Sequence, residues 1–396
     1  MMTASKNSEI QNIKLNNRLL NVCLDKDIPF VSYQKPGESE VTTLIQYLGN
    51  PQKLERAGDL TNAKGFVIAP FVANDSFPAI LLEPDYIHTD NNPVDEIIEI
   101  LLNYKATNVQ SISSLPIHQA TLAEFTAQVE AIKRKIAEGI INKVVLSRIT
   151  IDRHISGVDL VILFNSLCQA YPGAFVYLLR IPGVGCWMGA SPEPLLLIEG
   201  DVAKTTSIAG TQVLGVSPVE QVVWKAKELD EQEIVTGYIE SVLHTFGITS
   251  YEKYGPHSYQ AANLVHLRTQ FDFDASLIKP LLGEFIDTLQ PTPSVGGLPK
   301  AEARDLLMKV EKHNREYYSG FLGPVNIGDQ TSLFVNLRCL KVVKEGFALF
   351  GGAGITKGSV ARREWEETTQ KIMTLSTFVT SVKKSLNPYE FSKTGS

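Results

Sequence analysis

The chain of 396 residues carries a net charge of −6, with 44% hydrophobic and 20% charged residues. That balance excludes a disordered, collagen-like or fibrous chain. Its acidic sign argues against a nucleic-acid binder, which needs a basic stripe.

The length allows one large domain, or two to three of ordinary size, around a sizeable core. Met1 to Leu20 is polar and holds no signal-peptide core, and no run approaches the ~20 apolar residues of a membrane span. The expectation is a soluble cytoplasmic protein with no membrane partner. Cys23, Cys168, Cys186 and Cys339 lack any CxxC spacing, which predicts buried free thiols rather than disulfides or a zinc site.

Residues 1 to about 115 read as irregular αβ, with short apolar runs such as Gly65 to Val72 as strands and Asp90 to Pro93 as a turn. No chemistry is evident there. Thr121 and Glu124 then fit a capping box, and Phe125, Val129, Ile132, Ile136 and Ile140 form one helical stripe ended by Gly139. A β-like run covers Lys143 to Ile151. Further strand-like runs cover Ala174–Leu179, Gly185–Ala190, Leu195–Glu199 and Ala203–Ile208, spaced as antiparallel meanders. A second long helix is predicted from Ser217, with Pro218 and Glu220 as start signals, to Gly247. A third follows Pro299, and a last runs from about Ser359 towards Val382. Strands Leu333 to Val343 and Gly346 to Gly351 lie between these two. Without repeats or linkers, one α+β domain with a large antiparallel sheet is the better reading.

Two helices carry acids at i, i+3: Glu228 with Glu231, and Glu364 with Glu367, with Lys371 one turn beyond. Each pair points its carboxylates one way. Two facing pairs would suit Mg²⁺ bridging to an anionic substrate; read alone, either pair is equally a solvated helix face. Gly351 to Thr356, after a strand and before a helix, could offer backbone amides to an anion, as could Ser207 to Thr211; either could equally be a tight turn. Arg338 stands among apolar neighbours and needs a carboxylate partner from protein or ligand. Lys143 and Glu193 could titrate abnormally if buried, and His266 alone reads as a core histidine.

Taken in order, the segments KVVLSR (from Lys143), GASPEPLL (from Gly189), SIAGTQ (from Ser207), KELDEQEIV (from Lys227), LVHLRTQF (from Leu264), PTPSVGGLP (from Pro291), REYYSGFLG (from Arg315), FVNLRCL (from Phe334), GGAGIT (from Gly351) and EWEETTQK (from Glu364) resemble the chorismate-utilising enzymes. These are the isochorismate and salicylate synthases and the chorismate-binding subunits of anthranilate and aminodeoxychorismate synthases. The resemblance runs from about Thr121 to Lys371.

It implies a single α+β domain over 1–396, a mostly antiparallel β-sandwich flanked by helices. Residues 1–115 are its variable part and 116–385 its chorismate-binding catalytic region. It further implies Mg²⁺ held by Glu231 and Glu367, with Glu228 and Glu364 as outer acids on metal-bound waters. Lys371 and the amides near Gly352 and Gly354 would surround the ring carboxylate of chorismate. Arg338 and Tyr318 would bind its enolpyruvyl carboxylate, Gly210 and Thr211 would line the ring, and His266 would stand near the leaving group.

Within the family, Lys143 matches the lysine that activates water and Glu193 the acid that protonates the departing C4 hydroxyl. Ala209 stands where aminodeoxychorismate synthases carry a lysine, and the Pro291–Gly297 loop resembles the isochorismate synthase version. The resemblance therefore implies a Mg²⁺-dependent isochorismate synthase, whose product starts menaquinone or catecholate siderophore synthesis. A monomer is the expectation for one large domain without an evident apolar face to spare. A salicylate synthase, which goes on to expel pyruvate, is the alternative, and a catalytically silent chorismate-binding paralogue a more distant one. Gln232, Gln290 and Gln212 depart from the histidine, histidine and arginine common at those places. In such an enzyme Lys143 must be neutral to accept a proton, so burial should lower its pKa from ~10.4, while Glu193 must stay protonated.

Overall fold

The predicted meanders pair entirely antiparallel. The computed structural model describes residues 15–89, 93–105, 117–153, 157–213, 218–261 and 264–386; Ser217 and the turn at Asp90–Asn92 lie outside them. Among these residues are two nine-stranded sheets. In spatial order the first contains Gly297–Leu298, Lys143–Asp152, Gly346–Ile355, Cys339–Val343, Gly185–Ser191, Phe175–Ile181, Phe30–Gln34, Val41–Ile45 and Tyr86–Thr89. The second contains Glu252–Ala261, Leu264–Asp274, Val202–Val213, Pro194–Glu199, Gln330–Val335, Phe321–Val325, Gly65–Ala69, Ala79–Leu82 and Gln52–Leu54. The first ninety residues thus supply the last three strands of each sheet, and the later chain builds the opposite half.

The sheets share an aromatic core in which Tyr33, Phe66, Phe175 and Phe334 are buried, with the rings of Phe175 and Phe334 stacked at 4.3 Å. Residues 15–25 and the helices Asp95–Leu102, Leu160–Ala170 and Ala361–Leu386 bury an apolar face on the outside of the first sheet. Ala226–Thr245 and Leu282–Leu289 do the same on the second. This is the α+β sandwich expected. No helix among the described residues is long and apolar enough to cross a membrane. All four cysteines are buried and none forms a disulfide.

The helix Leu122–Ala137 begins at the expected capping box: Thr121 Oγ1 accepts the Glu124 N–H at 3.2 Å and Glu124 Oε2 accepts the Thr121 N–H at 2.9 Å. Phe125, Val129 and Ile132 are buried, whereas Ile140 falls beyond the helix end and is exposed. Three expectations are corrected. The long second helix starts at Ala226 rather than Ser217, because Glu228 rather than Glu220 accepts the first free amide, that of Lys225, at 3.0 Å. The run Leu333–Val343 is two strands in different sheets, broken at Asn336–Arg338, where Arg338 takes φ +48°. Finally, Gly351 to Ile355 is not a loop after a strand but the end of the strand itself, paired with Val144 to Arg148. Here glycine serves close packing: a Cβ on Gly351 would stand 2.7 Å from the Thr368 carbonyl oxygen of the last helix.

Candidate active site

A cleft of about 770 Å³, its open mouth included, lies where the later halves of the two sheets meet. Lys143, Glu193, Gly210, Thr211, Glu231, His266, Tyr318, Arg338, Gly352, Gly354, Glu367 and Lys371 all line it. Lys143, Gly352 and Gly354 come from adjacent strands of the first sheet, and Gly210, Thr211 and His266 from adjacent strands of the second. Glu193 and Arg338 sit where the chain passes from one sheet to the other, between Ser191 and Pro194 and between Val335 and Cys339. These two bends are tied together: the Val335 N–H donates to the Glu193 carbonyl at 2.9 Å, and the Ala190 N–H to the Arg338 carbonyl at 3.1 Å. Gly210 and Thr211 form a β-bulge, the register with the His266 strand slipping between Ala209 and Gln212. Gly210 takes φ +65°, which a side chain would resist.

One end of the cleft is a lattice of ion pairs. Lys143 Nζ lies 2.8 Å from Glu231 Oε1, Lys371 Nζ 2.7 Å from Glu367 Oε1, and Lys227 Nζ 3.0 Å from Glu364 Oε1. Lys371 also donates to the Gly352 carbonyl at 2.9 Å. Burial alone would raise the pKa of Glu231, but the ammonium groups of Lys143, Lys227 and Lys371 outweigh it and hold the carboxyl below its ordinary range. Glu364 moves the other way: burial, with the charge of Glu367, raises it against the pull of Lys227. Gly354 makes room for this lattice, since a Cβ there would stand 2.5 Å from Glu231 Oε1.

The donor chemistry of Glu231, Glu364 and Glu367 is hard oxygen, which fits Mg²⁺, and all three act on the charge of Lys227, so they converge on one region. Each carboxylate is nevertheless held by its lysine, and among the described residues no three acids stand close enough to share an ion. Neither Glu228 nor Glu364 lines the cleft: the Glu228 carboxylate caps its own helix, and Glu364 is paired with Lys227 beside it.

The other end carries ionisable groups that have no ion-pair partner among the described residues. Glu193 is buried, and burial pushes its pKa up to about 7 against the pull of Ser294, Lys143 and Lys371. Burial likewise pushes His266 down to about 3, with Arg338 and Lys371 adding to the effect, so its ring is neutral. Its Nδ1 lies 2.9 Å from the Gly210 carbonyl, which can only accept. Nδ1 therefore carries the hydrogen and Nε2 is left as an acceptor. Arg338 has no carboxylate within salt-bridge distance among the described residues; a long 3.5 Å contact reaches Thr374 Oγ1. Tyr318 is stacked on Phe350 at 5.1 Å, and burial pushes its hydroxyl up to about 12, so it is a neutral donor.

Sequence reasoning missed two neighbours. Ser294 donates to Glu193 Oε1 at 2.6 Å; it stands in the Pro291–Gly297 motif, where its hydroxyl was the available signal. Lys227 opens the KELDEQEIV segment but pairs only through tertiary contact. Of the three departures, Gln232 is buried and donates to Ser207 and Thr269, Gln290 donates to the Ser319 carbonyl, and Gln212 to the Val223 carbonyl. All three are therefore used as amides that brace backbone and hydroxyls around the cleft.

The sandwich and its cleft define a chorismate-binding enzyme: the family model described as chorismate binding enzyme matches residues 82–380, and the chain belongs to that family. Among its relatives, isochorismate synthase EntC of Escherichia coli (strain K12) is 27% identical over 277 residues, covering 68% of this chain and 70% of that one. Anthranilate synthase component 1 of Methanothermobacter thermautotrophicus is also 27% identical, over 325 residues, 79% of this chain and 68% of that one. A crystal structure described as a putative 2,3-dihydroxybenzoate-specific isochorismate synthase, DhbC, from Bacillus anthracis superposes with a TM-score of 0.71 at 21% identity, covering 91% of this chain and 99% of that one. This last likeness shows the shared fold.

Proposed function

We infer that the protein is an isochorismate synthase, converting chorismate to isochorismate. The observation that carries this reading is one cleft holding a lysine, Lys143, and a buried carboxyl, Glu193, whose proton is retained to about pH 7. Identity alone does not choose, because isochorismate and anthranilate synthases are equally similar to this chain.

Arg338 and Tyr318 bind the enolpyruvyl carboxylate, and Lys371 with the backbone near Gly352 and Gly354 faces the ring carboxylate. Gly210 and Thr211 line the ring, and His266 offers Nε2 as an acceptor near the leaving group. Lys143 takes a proton from water as its oxygen bonds to C2; the ring double bonds shift, the C4–oxygen bond breaks, and Glu193 gives the departing hydroxyl its proton. One water enters and one leaves, so the net change is isomerisation. Orientation and this acid–base pair share the work, the latter contributing ~10²–10⁴-fold per group. Mg²⁺ would be held by Glu231 and Glu367, with Glu364 outside them, and when bound would supply positive charge for the ring carboxylate. Lys143 and Lys371 pair with these same carboxylates at 2.8 and 2.7 Å, so a metal held there would take the place of both ammonium groups. The entire chain is read as one domain, since residues 30–89 supply strands to both sheets.

The test is a one-pot NMR assay of purified protein with chorismate and Mg²⁺, and an EDTA control. Isochorismate signals settling to a mixture with chorismate, and lost with EDTA, are expected. Salicylate with pyruvate, or an unchanged chorismate spectrum, would overturn the assignment.

A further inference from the structure

Glu193 is not held by the cleft charges alone. Ser294 Oγ lies 2.6 Å from Glu193 Oε1, and Thr292 Oγ1 lies 2.5 Å from Ser294 Oγ. Thr292 and Glu193 are both buried, and the Ser191 hydroxyl on the other side of Glu193 is committed to the Val335 carbonyl at 2.5 Å. The segment bearing these hydroxyls is fixed. The Val295 and Gly296 amides donate to the Thr292 carbonyl at 3.1 and 2.9 Å. The guanidinium of Arg315, itself gripped by Glu311 at 2.6 Å, donates to the carbonyls of Val295 and Val145 at 2.8 and 2.5 Å. One buried ion pair thus ties the Ser294 segment to the strand of Lys143.

A serine hydroxyl has one hydrogen. If it goes to Glu193, Thr292 must donate to Ser294, and the chain of hydroxyls points one way, towards the carboxyl. We propose that Ser294 is a positioning residue for the general acid: its hydroxyl, backed by Thr292, occupies Glu193 Oε1 and so assigns the transferable proton to Oε2. The proposal rests on Glu193 being the acid of the reaction inferred above. The opposite polarity would have Glu193 spend its proton on Ser294, and delivery to substrate would first have to break that bond.

The two polarities differ in sign. A hydrogen bond donated to the carboxylate stabilises the ionised form, so removing it makes Glu193 hold its proton more tightly; removing an acceptor of the Glu193 proton does the reverse. The other charges that bear on Glu193 are Lys143 from its strand and Lys371 from the last helix, both of which favour ionisation. Arg338, neutral His266, Glu231 and Glu367 line the same cleft. All of these are left in place by a change at Ser294.

The experiment is a ¹³C-NMR titration of the Glu193 carboxyl in glutamate-labelled full-length enzyme, with Glu193→Gln assigning the signal, beside the pH profile of kcat/KM. Ser294→Ala should raise the midpoint by about one pH unit, and Ser294→Thr, which keeps the hydroxyl, should restore it. A midpoint that is unchanged or falls in the alanine variant would overturn the proposal. A raised midpoint in the NMR titration with an unmoved kinetic limb would uphold the hold of Ser294 on Glu193 and would instead overturn Glu193 as the acid of turnover.

Discussion

The two ends of the cleft handle charge in opposite ways. At one end Lys143, Lys227 and Lys371 neutralise Glu231, Glu364 and Glu367 pair by pair. At the other, Glu193, His266 and Arg338 are buried wholly or in part, have no ion-pair partner among the described residues, and are each moved towards the neutral form by desolvation. Pairing keeps groups ionised in a low-dielectric site, whereas isolation keeps a proton available or absent as the chemistry requires. On the function proposed above, the first end would exchange one cation for another, and the second would move a proton and receive a carboxylate. Glu193 and Glu231 line one cleft, yet their surroundings move their pKa values in opposite directions.

The sharpest break of this contrast is Lys143→Ala. It removes the proposed base and strands Glu231 without its nearest cation, so isochorismate formation should fall by ~10²–10⁴-fold or more; near-normal turnover in the chorismate assay would sink the assignment. Glu193→Gln should cost a similar factor in kcat, and its stability effect has a definite sign. Glu193 releases its proton near its ordinary value of 4.5 in the unfolded chain but near 7 in the folded one. Between these the native state holds a proton that the unfolded state has lost, so stability falls as pH rises through that window and stays reduced above it. Glutamine lacks this penalty, and above pH 7 the variant should gain on the order of 3 kcal/mol relative to its difference from the wild type below pH 4.5. Urea unfolding at several pH values reads this, and a gain independent of pH would mean that Glu193 is not desolvated.

Smaller effects separate binding from chemistry. Arg338→Leu should raise KM by about 10–100-fold, from the loss of charge-assisted hydrogen bonds to a substrate carboxylate, with kcat changed less; steady-state kinetics decides. In the wild type, kcat/KM should decline as pH rises through about 7, where Glu193 deprotonates. A flat profile from pH 6 to 8 would break the link between the isolated end and proton delivery. The smallest effect is expected far from both ends: Thr121→Ala removes a helix cap and should cost about 1 kcal/mol of stability, seen in thermal melts, with turnover unaltered.

Much of this was legible in the chain itself. The spacing of short apolar runs announced antiparallel strands, Thr121 with Glu124 announced a helix start, and motif order placed twelve of the candidate residues that now line the cleft. Boundaries failed where a local signal had a tertiary competitor. Ser217, Pro218 and Glu220 look like a helix start, yet the helix begins where Glu228 caps Lys225. Gly351 to Gly354 look like a loop, yet their lack of side chains lets one strand run beneath the last helix, Tyr318 and Glu231. Glu228 was grouped with Glu231 by spacing and by the family resemblance, neither of which fixes which carboxylate a neighbouring amide will claim.

By itself the sequence determined the family, the apolar runs that become antiparallel strands, and the residue types of the site, because these depend on side-chain chemistry and local order along the chain. Only the tertiary structure decided the electrostatic state of that site. Whether Glu193 keeps its proton and Glu231 loses it depends on which side chains are brought within a few ångströms and how much water is excluded. Chain positions 143, 231 and 371, or 193 and 294, acquire those relations only when the two sheets close on one another.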